Sequence, residues 1–144
     1  MTNDISTSIL FQRLKEAGSF EQYQQENRIS PFSSPFHIYL SDLCAAKSMI
    51  PERVIKMALI DRTYGHQLFN GTRKPSRDKA IQLAFGLGLD IDGAQKLLER
   101  AQKSKLYPKI KRDAAILYCL YHKINLIEVQ DMLSELGLTV LGGY

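Results

Sequence analysis

The chain has 144 residues and a mass of 16.4 kDa, which suits one compact domain or a compact domain with appendages. Its apolar fraction of 44% allows a core, and its net charge of +4 permits nucleic-acid binding without demanding it. No segment approaches the roughly 20 apolar residues of a membrane helix, and the N-terminus lacks the basic start and apolar run of a signal peptide. We therefore expect no contact with a membrane and a cytoplasmic location.

Neither metal nor catalytic signatures stand out. Cys44 and Cys119 lie separately among apolar residues, which is typical of buried reduced thiols rather than of a zinc site. The three histidines are widely spaced, and there is no P-loop, dinucleotide-binding motif or nucleophile elbow. We expect no enzyme activity, no metal and no cofactor.

The first 35 residues predict a helical arm and a linker. Apolar residues at helical spacing predict one or two short helices over 6–27, with Gly18 as a stop between them. Ser19 stands three residues before Gln22, which is the form of a capping box. Two prolines and three serines over 28–35 predict a linker. Residues 1–35 are therefore interpreted as an N-terminal helical arm that is separable from the rest.

The helical pattern is nearly continuous from residue 36 onward, so the chain is predicted to be all-α. Pro51 suits a first helical turn, Asp61 and Ser76 are good N-caps, and Asn70-Gly71 can end a helix in a left-handed conformation. No segment shows the alternation of a strand. The predicted helices span 36–47, 51–58, 62–70, 77–88, 92–103, 111–123 and 126–136.

An internal repeat covers the C-terminal half. Residues 77–106 and 112–141 align without gaps at an offset of 35 residues, and each reads as a helix, a short turn and a second helix. Two copies are too few for a solenoid, so residues 107–144 are predicted to form a hairpin that packs on the core. Arg77-Asp78 and Arg112-Asp113 open the copies, where a cap or an ion pair is expected.

The segment 48–76 carries the functional signal. A short helix with an apolar face, a turn at Leu59-Ile60-Asp61 and a second short helix predict a helix-turn-helix. The inner faces are predicted to be Val54, Ile55 and Ala58 on the first helix, and Ile60, Tyr64 and Leu68 on the second. The remaining polar side chains of the second helix can bond base edges, and the following loop can meet phosphates. The candidate DNA-binding residues are Arg62, Thr63, His66, Gln67, Asn70, Thr72, Arg73 and Lys74.

The run from Tyr64 to Ser76, Tyr…Gln-Leu-x-Asn-Gly-x-Arg-x-Pro-Ser, resembles the XRE family of lambda-repressor-like helix-turn-helix domains. The apolar helix that follows and ends in Gly88 fits the same pattern. The resemblance covers about residues 37–103 and implies a five-helix core within residues 36–106. It also implies that residues 62–70 enter the major groove of DNA.

Four positions depart from the family pattern and indicate a diverged domain. Pro51 stands where the family has Gln, Leu59 where it has Gly at the turn, and Ile55 where it has a small residue. Phe69 replaces Glu and is expected to be exposed on an isolated domain. Gly65 is expected to weaken the second helix by about 1 kcal/mol relative to Ala.

The leading hypothesis is a sequence-specific transcriptional regulator that binds double-stranded DNA as a homodimer. Phe69, Leu136, Leu138 and Val140 are candidates for the dimer interface. The alternative is a protein-interaction module on a degenerate helix-turn-helix, such as an adaptor, an antitoxin or a phage-type inhibitor. Changing Phe69 should then matter more than neutralising Arg73 and Lys74.

Two further groups of residues are interpreted without a DNA-binding role. Three tyrosines in the C-terminal half are assigned to the core and to interfaces. A basic cluster around Pro108 is interpreted as solvated surface. The tyrosines are Tyr107, Tyr118 and Tyr121, and the basic residues are Lys103, Lys105, Lys109, Lys111 and Arg112.

Overall fold

The computed structural model describes residues 6–27 and 34–143, and over these ranges the protein is all-helical, with nine helices and no strand. The chain divides into two compact units, residues 1–33 and residues 34–144. The predicted linker over 28–35 lies outside the described residues except at its last two positions. In both described ranges, no helix is long and apolar enough to cross a bilayer.

The first unit contains two short helices, as predicted, α1 (Thr7–Glu16) and α2 (Phe20–Glu26). The Ser19 side chain accepts a hydrogen bond from the Gln22 N–H and so caps α2. The Gln22 side-chain oxygen accepts from the N–H of Gly18, one residue earlier than in a standard capping box. Tyr23 is buried, and Arg13 Nη1 donates to Asn27 Oδ1 over 2.9 Å.

The second unit contains seven helices at the predicted places, most of which end one to three residues earlier than predicted. Pro51 starts the second of these helices, and Asp61 and Ser76 cap two others through their side chains. Gly71 ends a helix in the left-handed conformation. The helices are α3 (Phe36–Ala46), α4 (Pro51–Met57), α5 (Arg62–Asn70), α6 (Arg77–Gly86), α7 (Ile91–Arg100), α8 (Lys111–Tyr121) and α9 (Leu126–Glu135).

Six of these seven helices end in the same hydrogen-bonded turn, which explains Leu59. The second residue after each helix has a positive φ, and its own N–H and that of the next residue donate to carbonyls of the last turn. In α4, this residue is Leu59, with a φ of 55°, and Ile60 N–H donates to Ile55 O. The turn therefore needs a left-handed residue where the family has Gly, and here Leu adopts that conformation.

One continuous core joins the helices of the second unit. The apolar side chains predicted to face inward on α4 and α5 are buried, except that Tyr64 is half-buried. The core also includes Ile116, Leu120, Val129 and Leu133 of the C-terminal hairpin. Both cysteines are free and buried, and burial raises the pKa of each thiol.

The two copies of the repeat bind each other reciprocally. Arg77 of the first copy forms two hydrogen bonds to the carboxylate of Asp113, at 2.9 and 3.1 Å. Arg112 of the second copy forms the same pair of bonds to Asp78, at 2.9 and 3.0 Å. A stack related by translation would direct Arg112 away from Asp78, so the copies face each other across an approximate two-fold axis.

The reciprocity extends to the ends of the copies. Arg77 donates to the carbonyls of residues 104 and 105, and Arg112 donates to those of residues 139 and 140. Gln95 forms two bonds with the backbone of Leu106, and Gln130 forms the same two with Leu141, at 2.7 and 2.8 Å in both cases. The predicted ion-pair role of the Arg-Asp positions is thus confirmed, and each copy supplies the partners of the other.

Acid is expected to weaken this double ion pair. Burial tends to raise the pKa of Asp78 and Asp113, but hydrogen bonds from the guanidinium groups and from backbone N–H groups hold both pKa values below the ordinary value. Because the folded-state pKa is depressed, these carboxylates stabilise the fold above an unfolded pKa of about 4, and the stability is lost as the pH falls below it. The free energy of unfolding, measured with urea at a series of pH values on both sides of this pKa, should fall as the pH is lowered. In an Asp78→Asn/Asp113→Asn variant, the free energy of unfolding should depend less steeply on pH, and an equally steep dependence would contradict the assignment.

Candidate nucleic-acid interface

The α4–α5 pair is held close by the packing of Ile55 on α4 against Gly65 on α5. A Cβ atom added to Gly65 of α5 would lie within 3.0 Å of three side-chain atoms of Ile55 on α4. Both residues are buried. The larger side chain at 55 therefore occupies the volume that a side chain at 65 would need, and the absence of a side chain at 65 compensates for Ile55.

This compensation predicts coupling between the two positions. Gly65→Ala should destabilise the fold by about 1–3 kcal/mol through overpacking, although Ala is the better helix former. Ile55→Ala should cost about 2–5 kcal/mol through the cavity it leaves. The double variant should lose less stability than the two single losses added together, and the difference, the interaction energy, should be about 0.5–3 kcal/mol. Urea unfolding of the four proteins measures this coupling, and simple additivity would contradict the packing.

Glu52 on α4 bonds two side chains of α5 and so joins the two helices. Its carboxylate accepts from Arg62 Nε at 2.6 Å and lies 2.8 Å from His66 Nε2. Both partners lie on the exposed side of α5, one turn apart. The hydrogen bonds of Arg62 and then of His66 hold the pKa of Glu52 below its ordinary value.

The C-terminal half of α5 is joined to the following loop. Asn70 Oδ1 accepts from both the backbone N–H and the hydroxyl of Thr72, which fixes the turn after Gly71. Gln67 Oε1 accepts from Arg73 Nε over 2.7 Å. These bonds place the loop residues beside the outer face of α5.

The ring of Tyr64 lies close to two cations, Arg73 in the loop after α5 and Lys79 in the first turn of α6. The Arg73 guanidinium lies 5.2 Å from the centre of the Tyr64 ring, and Lys79 Nζ lies 5.7 Å from it. Lys74 and Thr63 are exposed, on the loop and on α5. The side chains that the sequence singled out thus lie along the outer side of α5 and its loop, where His66 and Gln67 are half-buried and the others are exposed. We call this the α5 surface, and it consists of Arg62, Thr63, His66, Gln67, Asn70, Thr72, Arg73 and Lys74.

Glu52, Tyr64 and Lys79 are the residues of this site that sequence reasoning missed or assigned otherwise. Glu52 opens α4 directly after Pro51, so its side chain reaches α5 only once the two helices pack. Tyr64 was assigned to the inner face, and its half-buried ring also supports cations. The signal available for Glu52 was an acidic residue in the first turn of a helix, which usually reflects only the helix dipole.

Two expectations about aromatic residues were wrong. Phe69 is only 8% exposed and belongs to the core, because α3 packs over this part of α5. Tyr107, Tyr118 and Tyr121 are all more than half exposed, so their assignment to the core is wrong, and their assignment to interfaces stays a prediction. Tyr118 and Tyr121 lie on the exposed side of α8, whereas Tyr107 lies in the loop before that helix.

No family model matches this chain, and comparisons with curated proteins and with solved structures found no match. Within residues 6–27 and 34–143, no group of three or more His, Cys, Asp or Glu side chains is placed to hold a metal ion.

Proposed function

We propose that this protein binds double-stranded DNA sequence-specifically and regulates transcription, with α5 in the major groove. The observation that carries this proposal is the α5 surface itself, where hydrogen-bonding side chains continue without a gap into a basic loop. An α-helix fits the major groove, where base edges differ most in their donors and acceptors. Loop cations beside such a helix suit the flanking phosphates.

Glu52 would orient Arg62 for reading a base. The Glu52 carboxylate accepts from the Nε of Arg62, which leaves the two terminal guanidinium nitrogens of Arg62 as donors for a base. Two parallel donors fit the O6 and N7 acceptors of guanine. His66, held by the second oxygen of Glu52, and Asn70 would contact neighbouring bases, with Thr63 and Gln67 beside them.

The loop would fix the position of α5 on the duplex. Arg73 keeps terminal guanidinium donors beyond its Nε bond to Gln67, and Lys74 is exposed beside it. Thr72 would add a hydroxyl contact. Such contacts supply affinity and register, but they do not discriminate between bases.

The rest of the proposal concerns the architecture. Helices α3–α7 would form a diverged lambda-repressor-like core of the XRE type, with α8–α9 as an added hairpin and residues 1–35 as an arm. Because one α5 surface covers a short site, a homodimer on a two-fold site would extend the contact. The protein would act in the cytoplasm as a binding protein and not as an enzyme.

Selection of bound duplexes from a random library tests this proposal. The wild type should enrich one short motif, often with an inverted copy. His66→Ala should change the enriched motif, whereas Lys74→Ala should lower the yield and leave the motif unchanged, because only the first contacts a base. Enrichment of no motif, or the same motif with His66→Ala, would contradict base reading by α5.

A protein-interaction module is the second candidate, and exposed apolar residues around α4 favour it. Ile50, Met57 and Leu59 are 65%, 49% and 44% exposed. Phe69 no longer supports this candidate, because it is buried. If the partner is a protein, Ile50→Ser/Leu59→Ser should abolish its binding and Arg73→Ala/Lys74→Ala should not, as measured on a partner isolated with the full chain.

A further inference from the structure

The approximate two-fold relation between the two copies of the repeat singles out a surface on the second copy. The offset of 35 residues makes α8 the counterpart of α6, with Tyr118 matching Leu83, Tyr121 matching Gly86 and His122 matching Leu87. These three residues of the first copy, two in α6 and Leu87 directly after it, are buried. A Cβ atom on Gly86 would lie 2.6 Å from the carbonyl oxygen of Val54, so α4 covers that face of α6 directly.

The matching face of α8 is uncovered and aromatic. Tyr118 and Tyr121 are 52% and 71% exposed. The ring of His122 lies between them, with centres 4.3 Å from Tyr118 and 5.1 Å from Tyr121. Tyr121 in place of Gly86 prevents any helix from approaching as closely as α4 does, so this face does not repeat the α6 contact. Packed aromatic rings suit the centre of a protein interface, because they cover area with few rotatable bonds.

Charge distinguishes the two sides of this hairpin. The segment 101–123 carries six basic residues and one acidic residue, Asp113, which is already paired. The segment 124–144 contains no Lys or Arg and three acidic residues, Glu128, Asp131 and Glu135. Lys123 directly follows His122, and Glu128 lies in the first turn of α9; both are exposed, so this end of the hairpin carries one charge of each sign.

We propose that a second copy of this chain covers this surface, which we call the tip patch and which consists of Tyr118, Tyr121, His122, Lys123, Ile127 and Glu128. In a two-fold dimer, each residue meets a residue of the same patch on the partner. A patch with a basic and an acidic side is complementary to itself in that arrangement, with Lys123 of each copy opposite Glu128 of the other. Ile127, in the first turn of α9, is 62% exposed and adds apolar area to the patch.

The tip patch differs from the dimer interface that the sequence suggested, although the sequence also assigned Tyr118 and Tyr121 to interfaces. Of the suggested residues, Phe69 is buried, and Leu138 and Val140 pack against the core of their own chain. Leu136 is 40% exposed, and its place in an interface stays a prediction. Self-association through the tip patch does not depend on DNA binding, so the two can fail separately.

Sedimentation equilibrium of the full chain tests the proposal. The wild type should be a dimer at about 100 µM. Tyr118→Ser/Tyr121→Ser should weaken the dimer by at least about tenfold without lowering the melting temperature, since both residues are exposed. Tyr107→Ser, which is equally exposed outside the tip patch, is the matched control and should leave the dimer unchanged.

A charge exchange keeps the test decisive if the tyrosine variant fails to fold. Lys123→Glu and Glu128→Lys should each weaken the homodimer, because each places like charges opposite one another. An equimolar mixture of the two should form heterodimers, since both contacts are then between opposite charges. A monomeric wild type, an unchanged dissociation constant in the tyrosine variant, or a mixture no tighter than its components would overturn the proposal.

Discussion

Replacing Arg77 with Ala is expected to lower the free energy of unfolding by about 3–5 kcal/mol, because it leaves a buried carboxylate without its partner. The Asp113 side chain is only 3% exposed, and Arg77 supplies two of its hydrogen bonds. Arg77 also bonds the carbonyls of Ser104 and Lys105, which hold the loop before α8. Urea unfolding monitored by circular dichroism measures the change.

The repeat provides a matched control for this variant. Arg112→Ala breaks the equivalent pair, but Asp78 is 24% exposed and water can solvate part of its charge. The loss should therefore be smaller than for Arg77→Ala. Adding Asp113→Asn to Arg77→Ala should recover part of the stability, since the unpaired charge is removed. An Arg112→Ala variant that loses as much stability as Arg77→Ala would contradict this account of the two pairs.

Neutralising the loop cations should have the largest effect on DNA binding. Arg73→Ala/Lys74→Ala is expected to weaken binding to every duplex by at least about 100-fold at low salt and to reduce the salt slope by about two. Both residues are exposed, although Arg73 also bonds Gln67 and lies on Tyr64. Fluorescence anisotropy with a labelled duplex gives both quantities.

The control for the loop variant is a second pair of exposed cations. Lys103→Ala/Lys109→Ala removes the same charge from the basic cluster around Pro108, which the sequence assigns to solvated surface. This variant should keep its salt slope and lose less than about tenfold in affinity. Equal losses in the two variants would mean that net charge, rather than the loop, determines the affinity.

The helices of the second unit could be predicted from the sequence because their signals are local. Pro51, Asp61, Ser76 and Gly71 act within one turn of the chain, and each does in the structure what its chemistry predicts. The ends were predicted one to three residues too late wherever the second residue after the helix is left-handed, at Gly88 as well as at Gln102 and Lys123. At Gln102 and Lys123, nothing in the residue type marks a stop.

The errors and omissions arose from contacts between distant parts of the chain. Phe69 was expected to be exposed because α5 was considered without α3, and Glu52 was overlooked because its partners lie on another helix. Ile55 and Gly65 looked like two separate losses, yet they form one packed pair. The repeat could be found by alignment, but the reciprocal pairing of its copies depends on how they face each other.

The measurement that tests DNA recognition most directly is anisotropy of a labelled duplex from the gene's own upstream region, beside a scrambled duplex, over a salt series. The account predicts tighter binding to the upstream duplex, with an affinity for both that falls steeply as salt is raised because counterions are released. Binding to neither duplex at low salt, or equal binding to both at every salt concentration, would contradict sequence-specific recognition by the α5 surface.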